Sequence, residues 1–240
     1  MAGPIMSSRT GDRLLELARP HVGEKYVLGV FVPKDNPNWK GPWDCAEFAS
    51  WVVFQSARSL YGCLNNQSNP ALADAYTGYW ERDVKHLGEI ISVEQAARIP
   101  GAMVLRFPQA GATGHIVISD GGGGTVEAHS TIRGVIKSTL ANRRWDTGIL
   151  VPGITYSEGP AVQVTHPQTI LYRLTIPTMT GTKIRDIQNA LRSAGCDPGS
   201  IDGEFGPHTH AAVIAFQLSR GMLADGEVGP QTAAALGIEL

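Results

Sequence analysis

A chain of 240 residues with a 42% hydrophobic fraction and a net charge of −2 can hold one medium and one small folded unit and has an ordinary globular composition. The near-neutral balance, without a basic run interleaved with aromatics, excludes a general affinity for nucleic acid. Three cysteines, Cys45, Cys63 and Cys196, form no CxxC pair, which argues against a disulfide framework or a zinc ribbon and implies no metal or cofactor. Residues 1–10 are short and polar with no apolar h-region, and no apolar run approaches the ~18 residues of a membrane span. The expectation is a protein made in the cytoplasm without a signal peptide, not inserted in a membrane. Any external substrate would then be reached by another delivery route.

In chain order, residues 10–21 predict a short amphipathic helix with Leu14, Leu15, Leu17 and Ala18 on its apolar side. Residues 33–42 form a Pro/Asn/Gly-rich loop ending at Trp43. A helix is expected from Cys45 to about Leu60, with Asp44 as N-cap and Glu47 at capping-box spacing. Phe48, Ala49, Trp51, Val52, Val53 and Phe54 make it apolar nearly all round, so it should be buried. Residues 65–100 mix polar turns with a helix near 93–98. Short β-rich runs follow at 102–107, 115–119, 125–130, 135–138 and 149–151, the second and third joined by the turn Asp120-Gly121-Gly122-Gly123-Gly124. A further strand at 169–176 is expected to close the sheet. Helices followed by antiparallel strands indicate an α+β fold.

The last 60 residues carry a repeat. Asp202-Gly203-Glu204-Phe205-Gly206-Pro207-His208-Thr209 recurs as Asp225-Gly226-Glu227-Val228-Gly229-Pro230-Gln231-Thr232. Asp-Gly makes a tight turn and Gly-Pro-x-Thr starts a helix. With a helix at 183–193, the two units predict a small all-α three-helix domain. The expected division is 1–156, a linker region at 157–182, and 183–240.

Cys45 lies in the first turn of the buried helix, where backbone N–H groups and the helix dipole are expected to lower its pKa and to hold an oxyanion. A thiol nucleophile needs a base and an orienting group. His115 opens an apolar strand after a Gly-rich loop and is the candidate base. Glu127 and His129, two residues apart, project from one strand face, and either can accept the other ring N–H of His115. His208 and His210, near Asp202, are better read as solvent-facing helix residues than as metal ligands. Cys63 and Cys196 read as bystander thiols.

Four blocks, Gly23-Glu24-Lys25-Tyr26-Val27-Leu28-Gly29, Trp43-Asp44-Cys45-Ala46-Glu47-Phe48, Pro100-Gly101-Ala102-Met103-Val104 and Gly114-His115-Ile116-Val117-Ile118, resemble the NlpC-type cysteine peptidases. The resemblance implies a papain-like domain of N-terminal helices packed on an antiparallel sheet. It also implies cleavage of peptidoglycan stem peptides, usually between D-glutamate and a diamino acid. By position it implies Cys45 as nucleophile, His115 as base, Glu127 or the offset His129 as third residue, and Tyr26, Trp43 and Asp44 at the substrate. Ala46-Glu47 stands where that family commonly has Ser-Gly. Residues 183–240 are similar to a three-helix peptidoglycan-binding domain, which implies wall contacts around Asp202, Phe205, Phe216 and Asp225.

The two resemblances together imply a wall-anchored cysteine endopeptidase, with no cofactor and with peptidoglycan as its partner. The alternatives are an N-acetylmuramoyl-L-alanine amidase or cross-bridge peptidase of the same fold, and a catalytically silent wall-binding component of a phage tail or injection machine. Without a signal peptide, the expected delivery routes are those of an endolysin released through a holin, a tail-associated hydrolase, or an effector carried by a secretion machine and held by an inhibitor partner.

Overall fold

The computed structural model of the protein describes residues 9–109, 113–159 and 171–240. These form two compact units: the first holds residues 9–108, 114–140 and 145–159, and the second holds 171–240 with residues 109, 113 and 141–144.

The first unit opens with α1, Gly11–Ala18, capped by Thr10, whose hydroxyl accepts Arg13 N–H. Leu14, Leu15 and Ala18 are buried, as the amphipathic spacing requires. Next comes α2, Cys45–Ala57, in which twelve of thirteen residues are buried. It runs through the middle of the unit because its sequence offers no polar stripe to solvent. Two further helices follow, α3, Thr77–His86, and α4, Val93–Ala96.

The sheet consists of β1, Glu89–Ile91, β2, Met103–Arg106, β3, His115–Ser119, β4, Gly124–Ser130, β5, Gly134–Thr139, and β6, Thr147–Leu150. Its order is β1-β6-β2-β3-β4-β5, with every neighbouring pair antiparallel. Strand alternation sorts the core into two layers. Met103, Leu105, Ile116, Ile118, Val126 and Ala128 pack with α1 and α2. Val104 and Val117 pack with Val93, Ala96, Ala97 and Leu140. The Gly-rich tip works as expected: Asp120 Oδ1 accepts the N–H groups of Gly122 and Gly124, each at 2.8 Å. Gly121 and Gly123 adopt positive φ there, which side chains with a Cβ resist.

The second unit contains α5, Thr182–Ser193, α6, Pro207–Ser219, and α7, Pro230–Leu236. Pro occupies the first helical position of both α6 and α7, as the repeat predicts. The two copies are locked by matching networks. Gln188 Nε2 donates to Asp202, to the Glu204 carbonyl and to Thr209, while its Oε1 accepts Gly203 N–H. Gln217 does the same with Asp225, the Glu227 carbonyl, Thr232 and Gly226.

The expected strand at 169–176 does not extend the sheet. Residues 169 and 170 lie outside the described residues, and Tyr172 forms an antiparallel bridge with Val228 of the second unit. Its β-propensity is satisfied by a partner that local periodicity does not reveal.

Candidate active site

Asp44 caps α2 by accepting Glu47 N–H at 2.8 Å, and it also accepts Gly29 N–H at 3.2 Å. One carboxylate therefore fixes both the helix start and the loop before it. Burial pushes the Asp44 carboxyl up to about 6, against the two N–H groups and the charge of Lys34.

The expected reciprocal capping box does not form. Glu47 turns inward, fully buried, and accepts Val32 N–H at 3.2 Å, Ala75 N–H at 2.8 Å and the ammonium of Lys34. Lys34, equally buried, also donates to the carbonyls of Val32 and Ala73. The pair binds two loops to the first turn of α2, two residues from Cys45. Burial pushes Glu47 up to about 7, with the Lys34 charge and the Ala75 N–H opposing.

Cys45 is 7% exposed, and the backbone N–H groups of Ile116 and Ala46 act to lower the pKa of its thiol. Ile116 is the residue that follows His115 on β3. Burial pushes the thiol up to about 12 and the charge of Asp44 adds to this, while the Ile116 N–H, Arg106 and the Ala46 N–H pull back only in part. The sequence predicted the opposite direction. A helix N-terminus contributes ~0.3–1 kcal/mol, less than the ~1.4 kcal/mol of a single pH unit, so loss of hydration wins. A thiol held in this state would need a base to take its proton before it could act as a nucleophile.

His115 is 1% exposed. Its Nε2 lies 2.6 Å from Glu127 Oε2, and Glu127 Oε1 accepts the Thr125 hydroxyl at 2.8 Å. Trp145 stacks on the imidazole, with centroids 6.0 Å apart and planes at 29°. His129 meets the same ring edge-on at 6.2 Å. Of the two residues the sequence left open, Glu127 takes the ring nitrogen and His129 packs beside it. With Nε2–H donated to this carboxylate, Nδ1 is the ring nitrogen that carries the lone pair.

Tyr26 bridges to Trp43 through the backbone. Burial, Cys45 and Asp44 all raise the pKa of its hydroxyl, so it stays a hydrogen-bond donor. Trp43, expected at the substrate, is instead completely buried. Its indole N–H donates to Glu24 at 2.6 Å, and its rings meet His21, Phe48 and Trp51 edge-on. It supports the site from below.

Arg106 escaped the sequence reading. It ends β2 directly opposite His115 and is 2% exposed. The one signal available was a charged residue closing the apolar run Met103-Val104-Leu105.

In the second unit, Phe205 and Phe216 are fully buried and Asp202 and Asp225 accept the two glutamine amides. These four residues build the module, which corrects the expectation that the two phenylalanines touch the wall. The Gln188 hydrogen bond and the Glu204 N–H hold the Asp202 carboxyl below its ordinary value. Among the described residues, no group of three or more His, Cys, Asp and Glu side chains is placed to hold a metal. Among the same residues, no helix is long and apolar enough to cross a membrane.

Comparison with known proteins bears first on this second unit. Residues 180–236 match the family described as "Putative peptidoglycan binding domain". The chain is 42% identical over 72 residues to the N-acetylmuramoyl-L-alanine amidase CwlL of Bacillus licheniformis, covering 28% of this chain and 20% of that protein. It is 33% identical over 89 residues to the N-acetylmuramoyl-L-alanine amidase CwlM of Mycobacterium tuberculosis, covering 35% and 22%. The chain thus spans about a fifth of the length of the curated relatives it matches. Among solved structures it is similar to the NlpC/p60 domain of the peptidoglycan hydrolase SagA, at 21% identity and a TM-score of 0.41, covering 59% of this chain and 99% of that one. It is also similar to NlpC1 from Trichomonas vaginalis, at 16% identity and a TM-score of 0.42, covering 62% and 45%.

Proposed function

We propose that this protein hydrolyses amide bonds in the stem peptides of peptidoglycan through Cys45, with its C-terminal module holding the polymer. The observation that carries the reading is the buried pair of His115 and Glu127 at 2.6 Å, with Cys45 buried at the first turn of α2 in the same hydrophobic core as Ile116, the residue after His115. A nucleophile, a base and an orienting acid are the parts acyl transfer needs.

In the proposed reaction the sulfur attacks the carbonyl carbon while its proton passes to His115 Nδ1. The C–S bond forms and the carbonyl electron pair moves to oxygen. Tyr26 O–H and the N–H groups of the first turn of α2 donate to that oxygen. The tetrahedral species collapses, the C–N bond breaks, and His115 returns the proton to the departing amine. Water, deprotonated by His115, then attacks the thioester and releases a carboxylic acid and the free thiol. Glu127 accepts Nε2–H throughout and stabilises the imidazolium. The module raises the local concentration of substrate around the first unit.

The resemblance of the four sequence blocks to NlpC-type peptidases favours the bond between D-glutamate and the diamino acid. A second reading, cleavage of the muramoyl–L-alanine amide, is favoured by the names of CwlL and CwlM. Mass spectrometry of products from defined muropeptides decides between them. The first reading predicts a new amine on the diamino acid, and a free lactyl carboxyl would replace it with the second. Products formed equally by a Cys45→Ala variant would remove both.

A further inference from the structure

The second unit carries a groove that its internal networks leave unused. Asp202 and Asp225 spend their carboxylates on the glutamine amides and on nearby N–H groups, and Phe205 and Phe216 are buried, so these four serve the fold. On the outer face of α5, Lys183, Asp186, Asn189 and Ser193 follow one another at spacings of three or four and share one stripe of the helix. The chain after α7 forms the opposite wall. Gly237, in the left-handed region, ends that helix, Ile238 N–H returns to the Ala233 carbonyl at 3.0 Å, and Ile238 and Leu240 pack on the core. The Lys183 ammonium donates to the Glu239 carbonyl at 2.7 Å and ties one wall to the other. The space between the walls measures about 490 Å³ and is lined by the stripe together with Ala190, Ile238 and Glu239. Sites for small ligands span ~300–1,000 Å³.

We propose that this groove binds the zwitterionic side-chain end of a diaminopimelate-type residue in an uncross-linked stem peptide, so that the module reads stems rather than glycan. The inference rests on the proposed function for the polymer that the module holds. The charges lining the groove are mixed: Lys183 is a cation, Asp186 lies three residues on along the same stripe, and the exposed Glu239 adds a second anion from the facing wall. Two carboxylates repel a polyanion, and a neutral sugar leaves three charges unmatched. An ammonium and a carboxylate on one carbon match them. The ligand carboxylate takes the Lys183 donors that the Glu239 carbonyl leaves, since an ammonium has three. The ligand ammonium lies against Asp186 and Glu239, Asn189 and Ser193 supply neutral hydrogen bonds, and the methylene stem rests on Ala190 and Ile238.

The test titrates the full-length chain carrying Cys45→Ala, which keeps the ligand intact, with the tripeptide L-alanyl-γ-D-glutamyl-diaminopimelate and follows backbone amides by NMR. Saturable shifts are expected at residues 186–193 and 238–239. The same peptide ending in lysine keeps the ammonium and loses the side-chain carboxylate. Read from those amides, it is expected to bind about fivefold more weakly, the loss of one exposed ion pair at the upper end of its usual worth. Lys183→Gln and Asp186→Asn are each expected to weaken the diaminopimelate peptide by about the same factor. Asp186→Asn leaves the tie from Lys183 to Glu239 in place, so its effect is not that of a displaced tail. Equal affinity for the two peptides, groove amides that do not shift, or the same shifts produced by glycan strands stripped of stems overturns the inference. Retention on purified sacculi tests the underlying reading separately. A full-length chain that is not retained removes the role of the module in holding the polymer, whereas retention unchanged by either substitution removes only the groove.

Discussion

Replacing Lys34 by Met removes a cation from a fully enclosed pair. In the intact protein the Glu47 carboxylate has three donors, Val32 N–H, Ala75 N–H and the Lys34 ammonium, and that ammonium also serves the carbonyls of Val32 and Ala73. Met fills much of the same volume, so the loss is mainly one of charge and hydrogen bonds. A buried charge left without its partner costs about 3–5 kcal/mol, and each of the two carbonyls stripped of its donor costs a further ~1–3 kcal/mol. The double variant Lys34→Met/Glu47→Leu removes both charges and should recover the part of the deficit that comes from the unpaired charge, while the backbone groups that Glu47 and Lys34 served remain without them. The Glu47 carboxyl is raised from 4.5 to about 7 in the folded chain. A carboxyl with a raised folded pKa burdens the folded state above that pKa, and the burden lifts as pH falls toward the unfolded value. Without Lys34 the folded pKa rises further, so the deficit of the single variant should be larger near pH ~8 than near pH ~5. Urea unfolding of both variants at the two pH values measures this. A Lys34→Met deficit under about 1 kcal/mol, or one that grows on acidification, refutes the reasoning.

Glu127→Gln keeps a hydrogen-bond acceptor but removes the charge that stabilises the imidazolium. Release of amine ends from sacculi should fall toward the ~10²–10⁴-fold that a positioned acid–base group contributes, with a much smaller loss for His129→Gln. Asp44→Asn retains a competent cap and removes a negative charge beside Cys45. Alkylation of Cys45 should therefore quicken at neutral pH, and any inflection near the Asp44 value of about 6 should vanish from its pH profile. Gln188→Ala and Gln217→Ala each delete four hydrogen bonds, worth about 1 kcal/mol apiece. Both should lower the unfolding midpoint of the second unit in full-length protein, by similar amounts if the repeats are equivalent.

Much of this fold is legible in the sequence because its strongest signals are local. The all-apolar run Phe48 to Phe54 yields α2, the Asp-Gly repeat yields the turns before α6 and α7, and the glycine run after Asp120 yields the β3–β4 turn. The helix Thr77–His86 was missed because its sequence, TGYWERDVKH, buries only Thr77, Trp80, Asp83 and Val84. Strand β1 has three residues at the sheet edge, too short to show a period. At the site, the sequence offers Cys45, His115 and a choice of Glu127 or His129, because strand alternation places both of the latter on one face. Choosing between them takes a distance. The inward turn of Glu47, the burial of Trp43 and the rise of the Cys45 pKa are likewise invisible in one dimension. Each depends on how much water the completed fold excludes, and Lys34 and Arg106 become meaningful once their partners, 13 and 9 positions away, are in place.

The most direct measurement is the rate at which new amine termini appear on purified sacculi, for the full-length chain and for Cys45→Ala at equal wall occupancy. Steady release by the former and none above background by the latter is the expected result. Equal release by both would mean that the Cys45 sulfur is a bystander and that any chemistry belongs elsewhere in the chain.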